Sequence, residues 1–191
     1  MKVGLFFGSF NPIHIGHLAI ANYMLEFTDL EELWLIVSPQ NPFKKRKSLI
    51  NEYDRLKMVE LAIENDSRII ASDIEFRLPK PSYTIDTLTY LSERNSSNEF
   101  ILLIGSDNLE FFHKWKNYEE ILKQYQLFVY PRPDSGLGQY ASNEKIKLVN
   151  APLIEISSSF IRESIKLGKN IHHFLPAKVY DYIRNNHLYE K

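Results

Sequence analysis

Cysteine is absent from the chain. That excludes disulfides and thiolate metal sites, and it suits a reducing compartment without requiring one. An excess of either charge is also missing: 23 Lys and Arg stand against 24 Asp and Glu, a formal net charge of −1. A general nucleic-acid binder, which would carry a basic surface, is therefore not expected. No run approaches the ~18 apolar residues of a membrane span. The opening MKVGLFFGSF holds one lysine and an apolar run too short for a secretory signal. No internal repeat and no linker divides the chain. What remains is an ordinary globular balance, 44% hydrophobic and 25% charged over 191 residues, enough for a packed core. The expectation is a single domain over 1–191, in the cytoplasm, with neither nucleic acid nor membrane as partner.

Apolar runs and helical patterns alternate along the chain. Strands are expected at Val3–Phe7, Leu33–Val37, Arg68–Ala71, Phe100–Ile104, Leu127–Tyr130 and, more weakly, Lys147–Val149. Helices are expected at Ile15–Phe27, Tyr53–Glu64, Thr84–Glu93, within LEFFHKW and YEEILKQ, over Ser158–Leu167 and from Pro176 onward. Continuous apolar strands separated by helices imply parallel strands buried on both faces. The fold class is thus α/β: a doubly wound, Rossmann-like parallel sheet of order 3-2-1-4-5 with helices on both faces and further helices at the C-terminal side. Residues 38–48 and 131–143 read as loops.

The first strand runs straight into GSFNPIHIGH, Gly8 to His17. Gly8 lets backbone approach a ligand closely at the sheet's carboxyl edge. The helix that follows offers free N–H groups and the positive end of its dipole to an anion. Ser9, His14 and His17 add side-chain donors, and the two histidines, three residues apart, share a face. A phosphate site explains the pair better than a core or capping role. Zinc is disfavoured, because the helical pair of zinc enzymes is spaced i, i+4 around a glutamate. Far downstream, ISSSFIRESI repeats the theme. Ser157 and Ser158 precede a helix as capping residues do, and Arg162 lies one turn in. A plain helix cap is the alternative for that stretch taken alone. Between these segments the fourth strand ends in GSDN, which places Gly105 beside Gly8 across the switch point of the sheet. Asp107 there either binds a ribose hydroxyl or caps the next helix.

These segments carry a resemblance. GSFNPIHIGH resembles the first signature of the HxGH nucleotidyltransferase superfamily, and ISSSFIRESI resembles its second. PSYTIDTL, IGSDNLEFFHKWKNYEEIL, FLPAKVYDYI and NPFKKRKSLINEYDRLKMVELAI resemble the bacterial nicotinate-nucleotide adenylyltransferases, so the similarity covers nearly the whole chain. The chain departs from their pattern at Asn11, where Asp is more usual, and at Phe43, where His often stands. The resemblance implies transfer of the adenylyl group of ATP to nicotinate mononucleotide, with Mg2+ carried in on ATP. It makes His14, His17 and Arg162 catalytic. It assigns Gly8, Ser9, Phe10, Lys44, Gly105, Asp107, Ser157 and Ser158 to ATP as well. For the mononucleotide it implies Ser9, Phe10, Asn41, Lys44, Thr84 and Trp115, the tryptophan stacking on the pyridine ring.

Three other features carry less. Gly136-Leu-Gly138-Gln-Tyr-Ala141 has the letters of a dinucleotide fingerprint but follows a Pro-rich loop and precedes no clear helix. The run Lys44–Lys47 suits a polyphosphate lid, with a solvated loop as the alternative. His172 and His173 read as surface or packing residues.

Overall fold

A computed structural model describes residues 1–40 and 49–190. Six strands, β1 (Lys2–Gly8), β2 (Glu32–Val37), β3 (Ile69–Ser72), β4 (Glu99–Gly105), β5 (Gln126–Tyr130) and β6 (Ile146–Leu148), form one sheet of order β3-β2-β1-β4-β5-β6. All pairings are parallel. The expected order holds, and β6 extends it by one edge strand.

Side chains of successive residues leave a strand on opposite faces, and two cores follow from that alternation. Leu5, Leu102, Ile104, Leu127 and Val129 point to one face, where α3 (Thr84–Arg94) and α5 (Tyr118–Gln124) cover them with Leu88, Leu91 and Ile121. Phe6, Ile101, Leu103, Phe128 and Tyr130 point to the other. There α1 (Ile15–Phe27), α2 (Glu52–Ile63), α6 (Ser158–Lys166) and α7 (Ala177–Asn185) supply Met24, Met58, Ile161 and Val179. Strands buried on both faces need apolar residues at every position, which is why FILLI and LWLIV read as unbroken runs.

Register aligns the carboxyl ends: Gly8 pairs with Val37, and Gly105 with Tyr130. From β1 the chain crosses to β2 on one side, while β4 leads to β5 on the other, so a crevice opens between β1 and β4. One expected helix differs. LEFFHKW is split between a short α4 (Ser106–Leu109) and a 3-10 turn at Phe112–Lys114, after which Trp115 is extended and Asn117 takes φ 51°. Phe112 is buried in the core beside Leu109 while Phe111 stays exposed.

Candidate active site

The β1–α1 turn is built on two glycines that no other residue could replace in place. A Cβ on Gly8 would lie 2.7 Å from the ring of Phe10. Phe10 itself is buried, takes φ 43°, and packs its ring 5.1 Å from that of His17. Phe10 thus packs its ring against the turn while the residue borders the cleft. A Cβ on Gly16 would lie 2.9 Å from Ile154 and 3.0 Å from His14 Nδ1. The bare helix backbone at Gly16 lets the His14 imidazole and the Ile154 loop close on it.

His14 is the N-cap of α1 and His17 its third residue. Their rings lie 3.8 Å apart, tilted by 31°. The His14 N–H donates to His17 Nδ1 at 3.3 Å. In the neutral His17 ring the proton therefore sits on Nε2, leaving that nitrogen as a donor. His14 Nδ1 is buried and has no hydrogen-bond partner. Burial, helped by the Arg132 charge, pulls its pKa from the usual 6.5 to about 4. His14 is thus neutral at pH 7, and the cleft's permanent positive charge comes from arginines.

The second motif closes on the first. Ser157 caps α6, its hydroxyl accepting from Phe160 N–H at 3.2 Å. Ser158 donates its hydroxyl to the Pro12 carbonyl at 2.9 Å. Arg162 donates through Nη1 to the Asn11 carbonyl at 2.9 Å and through Nη2 to Ser159 Oγ at 3.2 Å. The Ser158 proton is therefore committed to the protein, and α6's free N–H groups with Arg162 are what this side offers an anion. Asn11 is buried, and its Oδ1 accepts from Tyr189 O–H at 3.0 Å and Ile50 N–H at 3.4 Å. An amide at that position supplies these acceptors without adding a buried charge.

Two compartments meet at this edge. A cleft of about 900 Å³ is lined by His14, His17, Arg132, Arg162, Asp107 and Ser157–Ser159. A smaller pocket of about 150 Å³ is lined by Trp115, Thr84, Tyr83, Ser82, Glu75 and Lys116. Gly8, Ser9, Asn108 and Tyr130 line both. Gly105 faces the smaller pocket rather than the cleft. The N-cap of α4 is Gly105, so Asp107 is not a cap, and it stands in the cleft wall. Asn41 and Lys44 lie outside the described residues.

The model of the cytidylyltransferase-like family matches residues 5–164. A protein of Cytophaga hutchinsonii that bears the name "probable nicotinate-nucleotide adenylyltransferase" is 54% identical over 189 residues, covering 99% of this chain and 98% of its own. One of the same name from Flavobacterium johnsoniae is 51% identical and covered in full, as is this chain. The chain belongs to the nicotinate-nucleotide adenylyltransferase family. The fold agrees: Plasmodium falciparum nicotinic acid mononucleotide adenylyltransferase, complexed with NaAD, superposes with a TM-score of 0.83 at 21% identity, over 99% of this chain and 97% of that one.

Within this family site, three charged residues escaped the sequence reading. Arg132 follows β5, donates Nη1 to the Ile154 carbonyl at 2.9 Å, lies 5.3 Å over the Tyr130 ring, and keeps a buried Nε with no partner. Its one signal was position, directly past a strand whose carboxyl end faces the crevice. Glu75 is buried behind the smaller pocket, where Ser82 and Thr87 each donate a hydroxyl to it at 3.0 Å. Burial raises its pKa. Arg55 is the third. Among the described residues, no group of three or more His, Asp or Glu gathers as a metal site would.

The His14 shift has a measurable consequence. Its folded pKa lies below the unfolded value, so the unfolded chain binds the extra proton and stability rises with pH. The contribution is complete above about pH 6.5 and is lost as pH falls toward 4. Its size is on the order of 3 kcal/mol. Urea unfolding of wild type and His14→Gln at pH 7.5 and 4.5 measures it: the wild type should lose about 2–3 kcal/mol more than the variant. Equal losses would mean that His14 titrates normally.

Proposed function

We propose that this chain transfers the adenylyl group of ATP to nicotinate mononucleotide, forming nicotinate adenine dinucleotide and releasing pyrophosphate. The observation that carries this is the pair of compartments joined at Gly8 and Ser9. One is large and carries two arginines beside a helix N-terminus, and the other is small, with an aromatic wall and a helix N-terminus of its own. The triphosphate goes to His14, His17, Arg132, Arg162 and the start of α6. The pyridine ring goes to Trp115, with its carboxylate toward the first turn of α3 at Thr84.

The attacking group is a phosphate oxygen, already ionised at neutral pH because its second pKa is about 6. No general base is needed. The enzyme's work is to align two anions and to offset charge at the α-phosphorus and on the leaving pyrophosphate. His14, kept neutral by burial, and His17 serve as donors, and the arginines supply charge. Mg2+ brought in with ATP would neutralise part of the phosphate charge. Among the described residues Asp107 and Glu155 are the carboxylates lining the cleft, too few for a dedicated protein cage and compatible with a metal held mainly by phosphates. We place the reaction in the cytoplasm, where ATP is made available and where a cysteine-free chain is at no disadvantage.

The acid substrate should be preferred over its amide. A carboxylate needs donors alone, whereas an amide also needs an acceptor. α3 presents its first N–H groups, and Lys116 stands at the rim, 2.9 Å from Asp86 and 4.8 Å over the Tyr83 ring. The carboxylate that does line the pocket, Glu75, already receives two hydroxyls. Amide hydrogens would face donors, a mismatch of ~1–3 kcal/mol or one to two decades in kcat/KM. Trp115→Ala should weaken both substrates alike, because both rings are cationic and stack equally. Steady-state kinetics with both mononucleotides decides. An amide preference in the wild type would overturn the substrate and leave the adenylyl transfer standing.

A further inference from the structure

Arg55 is fully buried, at 0% exposure, within the second turn of α2. A buried guanidinium must have its donors met. Here four of its five go to main-chain carbonyls: Nη1 to Ser9 at 2.6 Å and to Ser38 at 2.7 Å, Nη2 to Pro39 at 3.2 Å, and Nε to Ile50 at 3.3 Å. Among the described residues no carboxylate forms an ion pair with it. Ser9 follows β1, and Ser38 and Pro39 follow β2, the neighbouring strand. One side chain thus grips both strand-end turns from behind. Both turns line the site: Ser9 borders the two compartments, and Ser38 borders the smaller one.

The grip has a direction. In a trans peptide the N–H points opposite to the C=O. With the Ser9 carbonyl held on Arg55, the N–H of Phe10 is turned away from the guanidinium. Phe10 occupies the left-handed region at φ 43°, where a bulky residue rests only if its surroundings hold it. Carbonyl dipoles offset part of the guanidinium charge, and the remainder adds positive potential behind the turn.

We propose that Arg55 is a positioning residue for adenylyl transfer: its guanidinium sets the spacing between the β1 and β2 turns and so aligns the triphosphate with the mononucleotide. This rests on the function proposed above. It predicts a loss concentrated in turnover, since a misplacement of about 1 Å can cost roughly a hundredfold in rate. The test uses Arg55→Lys, which keeps the charge and loses the fork, and Arg55→Met, which keeps the length and loses both. Each variant is checked for folding by circular dichroism and cooperative melting. Its kcat and KM for both substrates, and its Kd for inorganic pyrophosphate by calorimetry, are then measured.

Folded Arg55→Lys should lose about tenfold or more in kcat, and Arg55→Met roughly a hundredfold. Pyrophosphate should bind at least about fivefold more weakly to Arg55→Met and less so to Arg55→Lys, because only the methionine removes the charge. Folded variants with wild-type kcat and pyrophosphate affinity, differing only in melting temperature, would overturn the proposal. So would failure of both to fold, which would make Arg55 a residue of the fold alone. If the wild type does not turn over nicotinate mononucleotide, the function reading fails by itself. The pyrophosphate measurement still decides for or against Arg55.

Discussion

Replacing His17 by alanine should lower kcat/KM for adenylyl transfer by about 10²–10³, the cost of removing one preorganised donor from a charged transition state. The preorganisation is visible. The His17 ring is held between Phe10 and His14, at 5.1 and 3.8 Å. Its Nδ1 takes the His14 N–H, which fixes the ring's orientation. Stability should change little. One backbone-to-ring hydrogen bond is worth about 1 kcal/mol, a few degrees in Tm for a chain of this size. His14→Ala should cost as much in rate. It also removes the capping residue of α1 and a ring that fills the space over Gly16, so its Tm should fall further. Purified variants, compared by pyrophosphate release and thermal melting, separate the roles. Near-normal turnover in His17→Ala would remove it from the phosphate site. Loss of folding in parallel with activity would make it a core residue.

The parts of this molecule that were legible in the sequence are those with a local signature. Unbroken apolar runs marked strands because parallel strands are buried on both faces. Gly8, His14, Gly16 and His17 fall within ten residues, so their shared turn could be read directly. The link from Arg162 to the Asn11 carbonyl spans 151 positions. It was reachable only because each end carries its own motif. Arg55, Glu75 and Arg132 have no such flag. Arg55 sits in an amphipathic helix and looks like one of its solvated charges, yet its partners Ser9 and Ser38 lie 46 and 17 positions away. Glu75 looks like a surface acid until α3 folds Thr87 onto it. The neutral state of His14 was equally hidden, because it depends on burial and on Arg132, which lies on another strand's loop. In the fold the histidine pair stands beside Arg132 and Arg162 in the cleft wall, and burial leaves His14 uncharged at neutral pH.

Arg162→Ala should reduce kcat/KM by roughly 10²–10⁴, because hydrogen bonds from a charged donor contribute about 1.5–3 kcal/mol each and the guanidinium can offer two to phosphate oxygens. Arg162→Lys should retain the charge and still lose about ten- to a hundredfold. The geometry gives the reason. Nη1 is already engaged by the Asn11 carbonyl and Nη2 reaches Ser159, so the planar group is fixed against the β1–α1 turn while its remaining N–H groups stay available. An ammonium is a point donor. If it bonds to Asn11 it is drawn from the phosphate, and if it turns to the phosphate the Asn11 carbonyl loses its partner. The lysine variant should therefore show a divided effect: part of the loss in KM for ATP, part in kcat, and a lowered Tm that ATP restores less well than in the wild type. Steady-state kinetics with ATP varied at saturating mononucleotide, together with melting curves with and without ATP, resolve these contributions. Equal ATP kinetics in Arg162→Lys and wild type would leave Arg162 as a clasp between α6 and the Asn11 turn and would return the phosphate to the histidines and Arg132 alone.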